Sequence, residues 1–566
     1  MYDRSSVPHL CARACRTLES AIITCTDQEA QGRKLREQCV SRVRSMSGAG
    51  ARHLAWLRAG GVRWDEHEIE VRCNSGCTTD TPEYSVHARN TALQKDFLVA
   101  RIPKRITLGP LTGSLRTVHE NVCRRAEATE GGEEWEIFRD HFISEEATDE
   151  KKFWPPACGV IDDFLLPLVV YFELLQRHRS PWWGYLSTIS APPVLATWPA
   201  HIQEILEGTD LAGAGEAGHD HIRAFFQENM CPYLVALSSL GSRFGLSRTD
   251  SSCLAKGSRS TDDNFSCFMQ AVALSKSRGF FVDDEYGEAM VPFADLLNHK
   301  AARKPEGMLT TSEEWGSGNT REPKPAQVRN APGMEAAIGA TPDNDDELVV
   351  IVLSTIDSGA EILNTYGEHP NANLLYDYGF VIGAQNPFDL IHVSLKLFIE
   401  AAVTSNKDLT DRGVRKRLGL LQEHQSDIYQ LHRETSVREN HSGLLCLLYV
   451  LCADETCTTS SAHKGKKKQK LMQWSLDGLH NPSASLVDVA KRWYGKQKNS
   501  RAANTLFSSV LQVRKEGIEE GLTKEKLLSL SLKEDTWAKY RELATAYRNC
   551  EREILDSILL RHKEHS

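Results

Sequence analysis

Two short islands within residues 290–381 constrain this chain more than anything else in it. The first runs Val291-Pro292-Phe293-Ala294-Asp295-Leu296-Leu297-Asn298-His299. The second runs Gly359-Ala360-Glu361-Ile362-Leu363-Asn364-Thr365-Tyr366-Gly367 and resumes as Asn371-Ala372-Asn373-Leu374-Leu375-Tyr376-Asp377-Tyr378-Gly379-Phe380-Val381. Between them, residues 300–346 are rich in Pro, Gly, Asn, Glu and Lys, with almost no large aliphatic side chain. Such a stretch buries too little apolar surface to order itself and reads as a disordered insertion. Residues 348–353 (Leu-Val-Val-Ile-Val-Leu) then read as a buried strand, with 361–366 as the strand that succeeds it.

Upstream, residues 1–50 are polar, Arg-rich and aperiodic, and read as an extension. Leu54, Trp56 and Leu57 open the first unit, and Gly60-Gly61 break it. Residues 69–73 alternate with period two and read as a strand, 74–82 as turns, and 96–102 as a second strand before Pro103. Residues 116–150 are acidic and charge-mixed, as at Glu133, Glu134, Glu145 and Glu146, which predicts a solvated segment. From 164 to 198 large apolar residues recur at helical spacing, ending in Ser180-Pro181-Trp182-Trp183-Gly184-Tyr185, whose tryptophans read as core. Gly213-Ala-Gly-Glu-Ala-Gly218 matches the G-x-G-x-x-G pattern. A dinucleotide site needs a strand before it, whereas 202–211 is helical and polar, so a flexible loop is expected. His219 and His221 lack a third metal ligand in the sequence. Residues 247–263 form another polar loop, and 265–281 read as a helix leading into Ser277-Arg278.

From Leu395 onward helical spacing dominates, over 414–429, 443–452, 506–513 and 537–560. The last carries Leu543, Tyr547, Ile554 and Ile558 on one face, with Ser531 and Glu534 as a capping box. The basic run 464–470 reads as a solvated loop, with a nuclear signal as the alternative.

The balance of charges narrows the function. A net charge of −9 argues against a general grip on nucleic acid. No apolar run is long enough to span a bilayer, so no membrane role is expected. The fifteen cysteines include two C-x-x-x-C pairs, Cys11/Cys15 and Cys73/Cys77, with no partner pair to complete a zinc site. They read as scattered thiols of a reduced intracellular protein, cytoplasmic or nuclear. Early arginines (Arg4, Arg13, Arg16) keep organellar targeting open.

Together the islands resemble the two signature segments of SET-domain protein methyltransferases. The nearer likeness is to the branch typified by the plant Rubisco large-subunit lysine methyltransferase and the actin-histidine methyltransferase. Ser277-Arg278, the stretch 166–198 and Tyr547-Arg548…Glu551-Arg552-Glu553-Ile554-Leu555 fit that branch as well. The resemblance implies an α+β fold: a SET-domain β-fold over 51–394, split by a helical insert at about 116–264 and by the insertion at 300–346. An all-α substrate-binding domain over 395–566 follows.

The resemblance also implies S-adenosylmethionine as methyl donor and a lysine-bearing, non-histone protein as substrate; the sequence carries no oligomer signal, and a monomer is expected. By that likeness Asn298, His299 and Asp295 contact the cofactor, Arg278 meets its carboxylate, and Phe380 packs beside it. Tyr366 stands at the catalytic tyrosine position and Tyr378 lines the substrate channel, where a tyrosine favours lysine over histidine. Relatives carry a Gly-aromatic-Gly turn against the cofactor. Here Glu83, Tyr84 and Ser85 occupy it, the aromatic kept and both glycines replaced. That departure matters because glycine permits positive φ and close backbone approach, and it motivates one alternative, a non-catalytic scaffold that binds a protein partner. A protein-histidine methyltransferase is the other.

Overall fold

Alternation of Ile69 and Val71 with Glu70 and Arg72 puts the aliphatics on a buried face, while the charged pair meets outside at 2.9 Å. In the computed structural model the described residues are 48–74, 83–129, 132–143, 154–156, 164–243, 261–301, 336–341, 344–406, 411–419, 421, 426–435, 442–452, 486–531 and 534–564. Most of the extension, Cys11/Cys15, Cys77, Glu145 and Glu146, most of the loop at 247–263, most of the insertion and the basic run 464–470 lie outside them.

Helix α1 (Gly48–Gly60) leads to β1 (Ile69–Asn74), which pairs antiparallel with β2 (Glu83–Ala88), Ile69 opposite Ala88 and Cys73 opposite Tyr84. The turn expected around 83–85 is therefore a strand. Strand β3 (Leu98–Pro103) comes next and joins a second, three-stranded sheet described below.

The charge-mixed stretch expected to be solvated forms two amphipathic helices, α2 (Ser114–Ala128) and α3 (Glu133–Phe142). Leu115, Val122, Ala126, Trp135 and Phe138 are buried, and the charges pair outside, as Arg116–Glu120 does at 2.7 Å. A narrow apolar stripe at i, i+3, i+4 spacing suffices to bury one face, however acidic the remainder. Helix α4 (Leu165–Gln176) is largely apolar and buried from Leu166 to Gln176, its Glu173 carboxylate accepting from Ser114 N–H at 2.7 Å.

The Gly213–Gly218 stretch is no loop: Gly213 sits at φ +71° before α5 (Ala214–Phe225). A Cβ on Gly218 would stand 2.6 Å from the Tyr376 hydroxyl, so glycine there serves close packing between helices. After a π-helical turn, α6 (Cys231–Arg243) and α7 (Thr261–Arg278) complete the insert core.

Strands β4 (Gly279–Phe281) and β5 (Glu288–Met290) form a hairpin that delivers the first island. Strands β6 (Ala336–Thr341) and β7 (Asn344–Val352) complete the second sheet, in the order β3-β7-β6, so the insertion expected to be disordered through 346 is a strand from Ala336, where pairing with the aliphatic β7 supplies the order its own composition lacks. Residues 361–366 do not form the expected strand. They make isolated bridges instead, Glu361 to His87 and Asn364 to His299.

Strand β8 (Leu390–Ser394) leads into the C-terminal region, expected to be all-α, whose described residues form helices and one strand, β9: α8 (Leu395–Ser405), α9 (Asp411–Leu418), β9 (Ile428–His432), α10 (Ser442–Cys452), α11 (Leu486–Tyr494), α12 (Gln497–Ser531) and α13 (Glu534–Glu564). The helix expected over 414–429 stops at Leu418, and Tyr429 lies in β9, antiparallel to β8. Residues 506–513 are a fraction of the 35-residue α12, and the side chains of the expected Ser531/Glu534 box lie outside the described residues. Tyr547, Ile554 and Ile558 of α13 are buried as the spacing predicts.

One small core positions the site. Leu195 and Trp198 of the insert, Ala372 and Leu375 of the second island, and Trp537 and Tyr547 of α13 pack together. Beside it Arg514 bridges Asp210 (2.7 Å) and Glu551 (2.9 Å), and the Tyr547 hydroxyl donates to Glu551 (2.7 Å). Burial pushes the Glu551 carboxyl above the usual carboxylate range, against the pull of Arg514.

Candidate active site

The two islands are laced together by backbone: Asn364 N–H donates to Asn298 O (2.9 Å) and Lys300 N–H to Asn364 O (2.8 Å). The first island turns at Phe293, a buried residue at φ +80° whose ring lies 5.3 Å from Trp64. A bulky residue in that region costs roughly 1–3 kcal/mol and persists where its surroundings over-determine it. The strain falls two residues before Asp295.

Asp295 is the hub of one half of the site. Arg278, at the end of α7, donates through Nη1 to Asp295 Oδ2 (2.9 Å) and to its backbone oxygen (3.0 Å). The Tyr185 hydroxyl donates to the same Oδ2 at 2.6 Å. The Asp295 side chain is 0% exposed and that of Arg278 19%. Burial alone would depress the arginine; Asp295 outweighs it and keeps the guanidinium charged. Asp295 Oδ1 and Arg278 Nε are buried with no hydrogen bond among the described residues. A buried acceptor and a buried donor left unsatisfied on this ion pair suit the ammonium and carboxylate of an amino-acid group.

The other half is aromatic. Tyr366 and Tyr378 stack with ring centres 5.0 Å apart at 27°, and Phe380 meets both, at 6.1 and 6.2 Å. His299 lies 5.0 Å from Tyr366 and 5.9 Å from Phe380. Gly379, between Tyr378 and Phe380, sits at φ +75°, and a Cβ there would come 2.9 Å from Pro193. That turn, closing the π-helical Leu374–Tyr378, aims two aromatics at one cage.

The Tyr366 hydroxyl donates to Leu297 O (3.0 Å). Burial pushes its phenol, and that of Tyr378, up to about 12. Both are neutral donors near pH 7. His299 Nδ1 accepts from Tyr366 N–H (3.0 Å), which puts the proton of the neutral ring on Nε2. Asn298 donates to Glu361 Oε1 (2.6 Å) and to Tyr84 O (3.4 Å).

Among the residues named from sequence, Arg278 with Asp295 forms one cluster, and His299, Tyr366, Tyr378 and Phe380 form another. Asn298 bridges toward β2. Glu83 is exposed on β2, whereas the Tyr84 ring is buried, stacked on His53 at 4.6 Å with its hydroxyl on Thr188 O (3.0 Å). Sequence reasoning missed Tyr185, His53, Thr188 and His369, the last donating through Nε2 to Tyr366 O (2.9 Å). Only Tyr185 carried a signal, being a polar-tipped aromatic inside a run read as core. Among the described residues no group of three or more His, Cys, Asp or Glu could hold a metal ion. No described helix is long and apolar enough to cross a membrane.

His53 and His299 are both held down to about 4, chiefly by burial. The free imidazole titrates near about 6.5. Between those values the unfolded chain binds more protons than the folded one, so each histidine withdraws stability as pH falls through that window. The Tm loss between pH 7 and pH 5 is expected to be smaller in His53→Phe than in the parent, whatever the substitution does at pH 7. Equal losses would mean that His53 titrates normally in the fold.

A strained island thus delivers a buried carboxylate–guanidinium pair beside a tyrosine-walled cage. No family model matches the chain. Among curated proteins it is 24% identical over 282 residues to ribosomal lysine N-methyltransferase 3 of Saccharomyces cerevisiae, a match covering 40% of this chain and 50% of that protein. The chain thus spans about half the length of the curated relative it matches. Among solved structures it is similar to the SET domain of LSMT bound to lysine and AdoHcy, at 14% identity, 92% coverage of each chain and a TM-score of 0.47. Rubisco LSMT bound to AdoMet matches at 13% identity with the same coverage and TM-score.

Proposed function

We propose that this chain is an S-adenosylmethionine-dependent protein-lysine N-methyltransferase acting on a non-histone protein. The observation that carries the reading is the pairing of two half-sites: Asp295 and Arg278 with unsatisfied buried atoms of both signs, and the cage of Tyr366, Tyr378, Phe380 and His299. The curated relative, named as a ribosomal lysine methyltransferase, supports it. Bound S-adenosylmethionine supplies an activated methyl on a sulfonium, open to in-line attack by an amine.

The residues of the chain then bind and orient. Arg278 and Asp295 hold the donor's carboxylate and ammonium. Phe380 and His299 pack beside the donor, and the rings of Tyr366 and Tyr378 flank the aliphatic stem and charged head of a lysine. Two aromatic walls favour that stem over an imidazole. The lysine proton leaves to solvent: His299 Nδ1 already accepts from Tyr366 N–H, and neither tyrosine ionises near pH 7. Residues 51–394 form the catalytic part, and 395–566 hold the protein substrate.

Calorimetry with S-adenosylmethionine and S-adenosylhomocysteine tests the reading. Micromolar binding, about −8 kcal/mol, is expected, and Arg278→Ala should abolish it. No binding at millimolar cofactor would overturn the enzyme and favour a scaffold that binds a protein partner.

A further inference from the structure

Tyr185 ties the helical insert to Asp295 by a hydrogen bond of 2.6 Å. It is fully buried, and its hydroxyl, the only polar atom on the ring, makes that bond. Its ring is fixed from behind: Trp56 stacks on it at 5.6 Å and 25°, and His53 lies 5.8 Å away. Its backbone is fixed too, because the Thr188 hydroxyl donates to Tyr185 O at 2.7 Å. Thr188 in turn accepts from His53 Nδ1 at 2.8 Å, since its own single proton is already given to a carbonyl. A rigid donor therefore meets a buried aspartate that Arg278 also holds, at the carboxylate and at the backbone oxygen.

We infer that Tyr185 is a positioning residue for the amino-acid end of the methyl donor, acting through Asp295. Together with Arg278 Nη1 it saturates Oδ2. This locks the carboxylate rotamer and leaves Oδ1, together with Arg278 Nε, to a zwitterion. Without the phenol, Asp295 can rotate, and Arg278 loses its fixed orientation. The inference rests on the methyltransferase reading and adds a residue to it that lies outside both islands.

The test separates the two ends of the cofactor. S-adenosylhomocysteine has the amino-acid group, and 5′-methylthioadenosine keeps adenosine and sulfur but lacks that group. In Tyr185→Phe the Kd of S-adenosylhomocysteine is expected to rise about tenfold, the scale of a missing hydrogen bond to a charged group. The Kd of 5′-methylthioadenosine should stay within about twofold, because that ligand does not reach Asp295 or Arg278. KM for S-adenosylmethionine should rise in parallel with little change in kcat. Tyr185→Met, which removes ring and hydroxyl together, should give the same selective loss and replaces the phenylalanine variant if that one does not fold. Equal weakening of both ligands would make Tyr185 a packing residue only, and unchanged S-adenosylhomocysteine affinity would remove it from the site; either overturns the inference. If the parent protein binds neither ligand, the functional reading itself fails and takes this inference with it.

Discussion

Tyr366→Phe is expected to lower turnover by about 10²–10³, the loss typical of one preorganised hydrogen-bonding group at a reacting centre. Affinity for S-adenosylmethionine should change by less than about twofold. The substitution keeps the ring that stacks on Tyr378 at 5.0 Å, so the cage survives and only the hydroxyl goes. That hydroxyl gives its one proton to Leu297 O at 3.0 Å, a backbone atom of the first island, so its oxygen is oriented as an acceptor for the incoming amine before substrate arrives. Burial, opposed by Arg278, pushes its pKa up to about 12, which keeps it neutral and excludes it as a base near neutral pH. Single-turnover rates at saturating cofactor measure the effect directly. A drop of less than about threefold would remove Tyr366 from the catalytic role expected of it, and a loss confined to cofactor affinity would make it a binding residue.

Asp295→Ala should be the most destabilising single change in the site, by about 3–5 kcal/mol, because it strands the Arg278 guanidinium in a buried place. The Asp295 side chain is 0% exposed, and its Oδ2 takes both the arginine and the Tyr185 phenol. Removing it leaves two donors unsatisfied. Arg278→Met added to Asp295→Ala removes the uncompensated charge and is expected to restore most of the stability without restoring cofactor binding. Urea unfolding of the parent, the single and the double mutant, followed by S-adenosylhomocysteine calorimetry, separates the two quantities. A single mutant as stable as the parent would show that the pair is solvated after all. A double mutant no more stable than the single one would place the cost in packing.

How far the sequence carried depended on whether each signal was local. Period-two alternation at 69–73 and the aliphatic run at 348–353 became strands, and the apolar face of α13 buried Tyr547, Ile554 and Ile558 as its spacing required. Such patterns are local, and burial of one face decides them. The misreadings share a cause. The acidic region at 116–150 hid two narrow apolar stripes, and the glycines of 213–218 looked like a loop because the close packing against Tyr376 that favours them comes from a distant segment. Residues 361–366 have strand-like composition but find partners only at isolated positions, beside His87 and His299.

The order and residue types of the two islands were legible in the chain itself, because an Asp-x-x-Asn-His run and a Tyr-Gly followed by Tyr-Gly-Phe are compact local signals. Those signals brought with them the expectation of a methyl donor and of a lysine channel. Tertiary structure alone decided that Arg278 is held by Asp295, that Tyr185 from the insert completes the grip, and that Tyr84 is buried behind His53 in a strand. The physical reason is range. A hydrogen bond between Tyr185 and Asp295 spans 110 positions of sequence, and nothing in either neighbourhood encodes the other. Only the packing of α1, the insert and the first island around one buried carboxylate brings them together.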